Sequence, residues 1–246
     1  MSGAIYMGAS GAILQQTRLD ILSDNLSNIN TAGFKKNLAV FRIREMNTGE
    51  QTAGPGHALS SLPVLPLSTE ADFSTGPLKT TGNPMDAALN GDGFFCIQTP
   101  EGVQYTRQGN FTVNAAKQLV TSDNMPVLGE SGPILIDGRE LTIDPEGNIL
   151  VDGDSADSLR IADFPRPYSL KKAGNTRFIS ENPNIPENRP GNTSVIQGAL
   201  ELSNTDPIES LVKMIESQRF FASCQKVIST TDNMNQKAVN ELGRIA

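Results

Sequence analysis

The sequence predicts an α+β fold in which N- and C-terminal α-helices form one discontinuous coiled-coil domain, with a central all-β domain inserted between them. Three observations carry this prediction. All fifteen prolines lie between Pro55 and Pro207, so regular helices are confined to the ends. Apolar residues recur at coiled-coil spacing near both termini. Between them, short apolar stretches alternate with turn sequences rich in glycine and asparagine.

Length and composition exclude several classes of protein. A chain of 246 residues with 37% hydrophobic residues is long and apolar enough to bury a core. Its net charge of −7 argues against electrostatic binding to nucleic acid or to anionic lipid. The sequence has neither an apolar run of bilayer length nor a basic segment followed by an apolar one at its start. We expect no nucleic-acid partner, no direct membrane insertion and no cleavable signal peptide.

Residues 4–29 are predicted to form the first helix. A stripe repeats every seven residues, with two further members three positions after the last two: Ile5, Ala12, Leu19, Leu22, Leu26 and Ile29. Gly8 and Gly11 would let a second helix approach the backbone closely, at a cost in helix propensity of nearly 1 kcal/mol each. The sequence NTAG at 30–33 ends the helix.

The second helix is predicted to begin at Asp206, where an N-cap carboxylate precedes Pro207 and Glu209 follows three positions later. A seam then continues in alternating steps of three and four residues: Met214, Ser217, Phe221, Cys224, Ile228, Thr231, Asn235, Ala238, Leu242 and Ile245. Other faces of the two helices also carry large apolar residues, namely Ile13, Ile21, Ile215, Phe220 and Val227.

The middle of the chain is predicted to be a set of short strands joined by turns. Alternation predicts strands at 94–98, 103–107, 111–113, 119–121, 134–137, 141–143, 149–151, 159–164 and 199–202. Residues 44–75 and 165–197 have the composition of extended linkers or long loops. The predicted domains are therefore a coiled-coil domain of residues 1–35 and 203–246, an extended linker region of 36–75, and a β-rich domain of 76–202.

The apolar stripes predict an assembly interface. Ser217, Thr231 and Asn235 make the seam a weak core for only two helices, and apolar residues remain on the other faces. We expect other chains to cover them. The expected interface comprises Ile5, Ala12, Leu19, Leu22, Leu26, Ile29, Met214, Phe221, Cys224, Ile228, Ala238 and Leu242. The alternative is a helix hairpin that docks within the same chain, which spacing alone does not exclude.

The sequence predicts no catalytic, cofactor-binding or metal-binding residues. His57 is the single histidine, and Cys96 and Cys224 are too far apart to predict a metal or disulfide framework. Asp86 and Asp92 are a conceivable acid and base pair, although linear sequence does not show that they converge. Another acidic group is a poor match to a calcium loop: Asp152, Asp154, Asp157 and Asp163. We therefore expect no enzyme, no cofactor and no metal.

Three blocks of the sequence resemble the axial proteins of the bacterial flagellar rod and hook. The first contains SGA at 10–12 and LSDNLSNINTAGFK at 22–35. The second contains TGNPMDAAL at 81–89, GDGFF at 91–95 and YTRQGNF at 105–111. The third contains QGALELSN at 197–204, MIESQRFF at 214–221 and KVI at 226–228. The chain departs from the family at residues 114–117, where NAAK replaces the usual Asp-x-x-Gly turn.

The resemblance implies a structural subunit without enzymatic activity. Its helices are expected to form the inner layer and its β domain an outer layer of the axial drive shaft that crosses the periplasm. Its expected partners are copies of itself, other proximal and distal rod subunits and, during secretion, the type III export apparatus. The details resemble the proximal-rod members most, with the distal-rod members the alternative and hook-type proteins a weaker one.

Overall fold

The computed structural model describes residues 2–41, 67–174, 176–182 and 185–242. Two helices flank the β-rich middle of the chain, α1 (Ser2–Ser27) and α2 (Pro207–Leu242), which confirms the predicted fold class. Neither helix combines the length and the apolar character that crossing a membrane requires, as judged on the described residues.

Sixteen strands lie between the helices in the described residues. They are β1 (Asn37–Phe41), β2 (Leu67–Ala71), β3 (Leu78–Thr80), β4 (Ala87–Asn90), β5 (Phe94–Thr99), β6 (Gly102–Thr106), β7 (Thr112–Val113), β8 (Leu119–Val120), β9 (Leu141–Ile143), β10 (Asn148–Val151), β11 (Asp154–Ser158), β12 (Ile161–Ala162), β13 (Leu170–Lys172), β14 (Arg177–Ser180), β15 (Ser194–Gln197) and β16 (Ala199–Glu201).

The chain divides into two compact units. Unit 1 comprises residues 1–26, 37–70 and 206–246, and unit 2 comprises residues 27–36 and 71–205. These bounds differ from the predicted domains because the segment after α1 belongs to the β-rich unit, where Phe34 and Lys35 are almost completely buried. The predicted linker of 36–75 contains β1 and β2, which pair with each other, and its residues 42–66 lie outside the described part.

In unit 1, α2 begins where the capping residues predict. The Asp206 carboxylate accepts hydrogen bonds from the backbone N–H groups of Ile208 and Glu209 at 2.8 and 3.1 Å. These bonds satisfy two of the donors that a helix N-terminus leaves free. Pro207 occupies the first helical position, where its missing N–H costs nothing.

The end of α1 is held to β1 by side-chain amides. Asn25 donates from Nδ2 to the carbonyl of Asn37 at 2.8 Å, and its Oδ1 accepts from the Asn37 N–H at 2.7 Å. Asn37 in turn donates from Nδ2 to the carboxylate of Asp24 at 2.8 Å. Asp24 and Asn25 therefore have a local structural role. Their side chains bond to Asn37, the first residue of β1, in the way that a neighbouring strand otherwise would.

Unit 2 is built around a five-stranded antiparallel sheet in the order β12-β5-β6-β14-β13. A three-stranded sheet, β11-β10-β9, and three strand pairs, β15-β4, β16-β3 and β7-β8, complete it. Because β5 is buried on both faces, its side chains enter two cores alternately. Phe95 and Ile97 pack with Phe111, Leu119 and other aliphatic residues. On the opposite face, Phe94 and Cys96 pack in a cluster rich in aromatic residues.

The strands predicted at 94–98, 103–107, 141–143, 149–151 and 199–202 are confirmed to within a residue or two. The strand predicted at 134–137 is wrong, because Leu135 makes only an isolated bridge, to Gln118. The long loop predicted at 165–197 is also wrong, since β13, β14 and β15 lie within it. Proline and asparagine there separate the short strands rather than preventing them.

Candidate assembly interface

The two helices of unit 1 approach each other closely at two glycines of α1. A Cβ atom built at Gly8 would lie 2.9 Å from Cγ1 of Ile228, and one at Gly11 would lie 3.1 Å from Sγ of Cys224. The positions run in opposite directions along the two helices, so the pair is antiparallel. The expectation that these glycines admit a second helix is confirmed.

The less exposed face of α2 follows the predicted seam. Ser217 is almost fully buried, and the seam residues Met214, Phe221, Cys224, Ile228 and Ala238 are half-buried. The positions between them are mostly exposed. Leu242 is the last residue of the helix, and its side chain lies outside the described part.

The buried face of α1 is displaced from its predicted stripe. Gly8, Gln15, Leu22 and Asn25 are buried in unit 1. The predicted stripe residues Ile5, Ala12, Leu19 and Leu26 are half-buried, as is Ile29 in unit 2. Leu22 is therefore the predicted interface residue of α1 that the single chain buries, and the others retain surface that a further chain can cover.

Polar atoms weaken the core of the helix pair. Gln15 Oε1 and Ser217 Oγ are buried without a hydrogen-bond partner. Each such group costs about 1–3 kcal/mol in lost hydration. This cost is consistent with the prediction that a seam containing Ser217 makes a weak two-helix core.

A second apolar stripe lies on the exposed surface of α2. Phe220, Val227 and Met234 recur every seven residues and are 55%, 49% and 61% exposed. Near the start of the same helix, Ile208, Leu211, Val212 and Ile215 are also exposed. On α1 the large exposed residues are Tyr6, Met7 and Ile13. Sequence reasoning identified Ile13, Ile215, Phe220 and Val227 but missed Met234, although its seven-residue spacing from Val227 was the available signal.

Asp86 and Asp92, in unit 2, are occupied in separate structural contacts. Asp86 accepts hydrogen bonds from Thr81 Oγ1 at 2.6 Å and Asn83 Nδ2 at 3.0 Å, whereas Asp92 pairs with Arg166. The two carboxylates thus have different partners. Among the described residues no group of three or more His, Cys, Asp or Glu side chains has the arrangement of a metal site, and His57 lies outside them.

The β-rich unit has an open groove of about 860 Å³ beside β6 and β14. Tyr105 lines it and donates a hydrogen bond to Glu187 Oε1 at 2.5 Å. Burial and this bond raise the pKa of the Tyr105 hydroxyl. The phenol therefore stays protonated at neutral pH and donates its proton in the hydrogen bond to Glu187.

Three family profiles match the chain in order. They are described as flagella basal body rod protein at residues 5–35, flagellar hook protein FlgE/F/G D1 domain at 88–151, and flagellar basal body rod FlgEFG protein C-terminal at 196–241.

Similar proteins match over nearly their full length. The flagellar basal-body rod protein FlgF of Caulobacter vibrioides is 32% identical, over 100% of both chains. The flagellar basal-body rod protein FlgG of Bacillus subtilis is 31% identical, over 98% of this chain and 99% of the relative. FlgF of Mesorhizobium japonicum is 28% identical, over 99% of both.

Terminal helices around a β-rich middle, with these matched segments, define an axial structural protein. The chain belongs to the flagellar basal-body rod protein family. It is a structural rod subunit of the bacterial flagellar basal body, and it assembles with other rod components.

Proposed function

We propose that this subunit polymerises through its terminal helices, with copies of itself and with other rod proteins, into the part of the drive shaft that transmits torque from motor to hook. The observation that carries the proposal is the exposed stripe of Phe220, Val227 and Met234 on α2. A solvated helix normally carries polar residues at such flanking positions, so this stripe favours a further helix as its neighbour.

The energy available at the stripe alone does not offset the cost of association. Burying a large apolar side chain fully contributes roughly 1.5–3 kcal/mol, and these three are about half exposed. One neighbour therefore contributes roughly 2–4 kcal/mol at the stripe. This is below the cost of association, estimated at 4 kcal/mol or more. Each subunit thus needs several helix contacts, which the half-buried Ile5, Ala12 and Leu19 also offer.

The different faces of the helices favour a head-to-tail arrangement. The patch at Ile208 and Ile215 and the stripe at Phe220 and Val227 lie at different places on the same helix. Contacts between unlike surfaces generate rings or open helical filaments, not closed dimers. An axial rod requires the open helical filament.

We assign the subunit to the proximal rod, as a FlgF-type protein. Support comes from GAIY at 3–6, LKK at 170–172 with Phe178, and the ending from 232 to 244, which resemble the proximal-rod members. The distal-rod assignment, FlgG, is the second candidate, because the relatives named FlgF and FlgG are about equally similar. Complementation of strains that lack either protein distinguishes the two.

The family is one of structural proteins, and we infer that this member has no catalytic activity. The separate structural contacts of Asp86 and Asp92 support the inference. We also propose export through the flagellar type III apparatus without a cleaved signal. An unprocessed N-terminus on the subunit in purified basal bodies is the expected finding.

The assembly proposal is tested by Val227→Asp in the host bacterium. A charge on the exposed stripe is solvated in the monomer but desolvated in the assembly, so rods and motility should be lost while the purified protein keeps its helical content. Gln225→Asp, on an exposed neighbouring position, is the matched control and should assemble. Normal rods containing Val227→Asp would contradict the proposal.

A further inference from the structure

A buried ionic cluster in unit 2 joins three distant segments of the chain. Lys35 Nζ lies 2.6 Å from Glu201 Oε1, and Arg107 Nη1 lies 3.2 Å from Glu201 Oε2. The side chains of Lys35 and Glu201 are each 1% exposed, and that of Arg107 is 3% exposed. We call Lys35, Arg107 and Glu201 the Glu201 cluster. It contributes to neither apolar core.

Hydrogen bonds fix the cluster on all sides. The Gly76 N–H donates to Glu201 Oε1 at 2.9 Å, and Lys35 Nζ donates to the Ser74 carbonyl at 2.8 Å. Arg107 Nη2 donates to the carbonyl of Gly91 at 2.8 Å. The backbone contributes as well, because the N–H of Gly33 donates to the Glu201 carbonyl at 2.8 Å.

The charges of the cluster are unbalanced, with two cations on one carboxylate. Burial lowers the pKa of the Lys35 ammonium, in opposition to Glu201, which raises it. Arg107 Nε is buried without a partner. Burying these charges costs much hydration energy, and well-packed apolar residues would often stabilise the unit equally well. A role in fixing the positions of the joined segments accounts for the cluster better than a contribution to stability.

The position of each residue along the chain indicates that role. Lys35 lies in the segment that leads from α1, Glu201 in the segment that leads to α2, and Arg107 directly after the central strand β6. Lys35 and Glu201 are 166 residues apart in sequence. The Glu201 carboxylate therefore links the segment after α1 and the segment before α2 to the end of β6 in the central sheet.

We infer that the Glu201 cluster is the tie point through which both helices are attached mechanically to the β-rich unit. Asn204 reinforces it, because its Oδ1 accepts from the Lys36 N–H at 2.8 Å and its Nδ2 donates to the Asp72 carbonyl at 2.8 Å. Force applied to either helix is then transmitted to unit 2 at the buried Glu201 carboxylate. The mechanical part of this inference rests on the proposed function.

Amide hydrogen exchange on the full-length chain tests the attachment. Glu201→Gln leaves two buried cations uncompensated, so exchange at Gly33 and Gly76 should accelerate roughly 100-fold while the β5–β6 ladder stays protected. Lys35→Met keeps one cation on the carboxylate and should accelerate Gly33 less. Lys36→Met is the matched control, since its pair with Asp72 is 3.4 Å long and partly exposed, and it should leave both amides unchanged.

Unchanged exchange at Gly33 and Gly76 in Glu201→Gln would overturn the inference. If that variant does not fold, Lys35→Met carries the same comparison, and equal exchange in Lys35→Met and Lys36→Met would overturn it. Because this experiment uses the isolated chain, its result is independent of whether Val227 mediates assembly.

The mechanical part is tested in cells that swim in media of increasing viscosity. Cells with Lys35→Met should build rods but stop swimming at a lower viscosity than cells with Lys36→Met, because the weakened tie point fails under load. Equal performance of the two strains at every viscosity would overturn the mechanical role, even where the exchange experiment supports the attachment.

Discussion

Lys117 adopts a left-handed backbone conformation, with φ of 60°, at the fourth position of the turn 114–117. This is the position where the resembling family usually has glycine, and the turn nevertheless closes, with the Lys117 N–H bonded to the Asn114 carbonyl at 2.9 Å. A side chain in this region costs about 1 kcal/mol. The exposed ion pair of Lys117 with Asp137 offsets little of that cost.

We expect Lys117→Gly to raise the free energy of unfolding of unit 2 by about 0.5 kcal/mol, because relief of strain outweighs the greater chain entropy of glycine. Lys79→Gly, in the exposed strand β3, is the control and should lower it by about 0.5–1 kcal/mol. Urea unfolding of the two variants measures both changes. A loss in Lys117→Gly as large as in the control would show that the turn carries no strain.

Cys96 should be chemically silent in the native protein. Burial raises the pKa of its thiol to about 12, so hardly any thiolate exists at neutral pH, and reagents have no access to it. We expect maleimide to label Cys96 only as unit 2 unfolds, while the half-buried Cys224 is labelled in the native chain. Peptide mass spectrometry after a labelling pulse gives both rates. Equal rates would contradict the burial of Cys96.

At the level of the helices, Phe221 should be more important to the monomer than its neighbour Phe220. Phe221 is half-buried on the seam, one turn before Cys224, whereas Phe220 is exposed. Phe221→Asp is expected to cost unit 1 roughly 2–4 kcal/mol by desolvating a charge, and Gln218→Asp, on the exposed surface, should cost under 0.5 kcal/mol. Leu26→Asp should act as Phe221→Asp does.

The measurement is the rate of proteolysis within α1 and α2, with near-ultraviolet circular dichroism as a check that unit 2 is intact. Faster cleavage in Phe221→Asp with an unchanged aromatic signal is the expected outcome. In cells the same variant should fail to enter the rod. Identical cleavage of Phe221→Asp and Gln218→Asp would contradict the antiparallel pairing.

Periodicity predicted the elements unequally. On α2 the seam through Met214 and Phe221 was predictable because large residues occupy it in unbroken steps of three and four. On α1 the buried Gly8 and Gln15 are not large apolar residues, so the spacing of large apolar residues predicted Ile5, Ala12 and Leu19, three positions earlier in each repeat. Strand β11 was missed because its acidic residues are exposed and carry no apolar alternation.

For the molecule as a whole, contacts between distant segments were beyond sequence reasoning. Lys35 and Glu201 belong to two different family blocks, and only the fold brings their side chains together. The predicted boundary after residue 35 assigned Lys35 to the helices for the same reason. Periodicity reports on one element at a time, whereas an ion pair across 166 residues depends on the topology.

The division into two units predicts stepwise proteolysis of the free subunit. The helices of unit 1 have a weak core with buried unpaired oxygens at Gln15 and Ser217, so they should open more readily than the double core of unit 2. Limited digestion should cleave first within 2–26 and 207–242 and leave a resistant fragment of roughly residues 27–205. Helices that stay intact as long as this fragment would favour a self-contained hairpin.

The near contact of Gly11 with Cys224 also has a chemical use. An added Cβ at Gly11 would lie 3.1 Å from the Cys224 sulfur, and the S–S bond length of a disulfide places each Cβ about 3 Å from the partner's sulfur. Gly11→Cys would therefore create a bond that an oxidant closes and a reductant reopens. The disulfide, seen as a shift in gel mobility, would report at any stage of flagellar growth whether α1 at Gly11 and α2 at Cys224 still lie side by side.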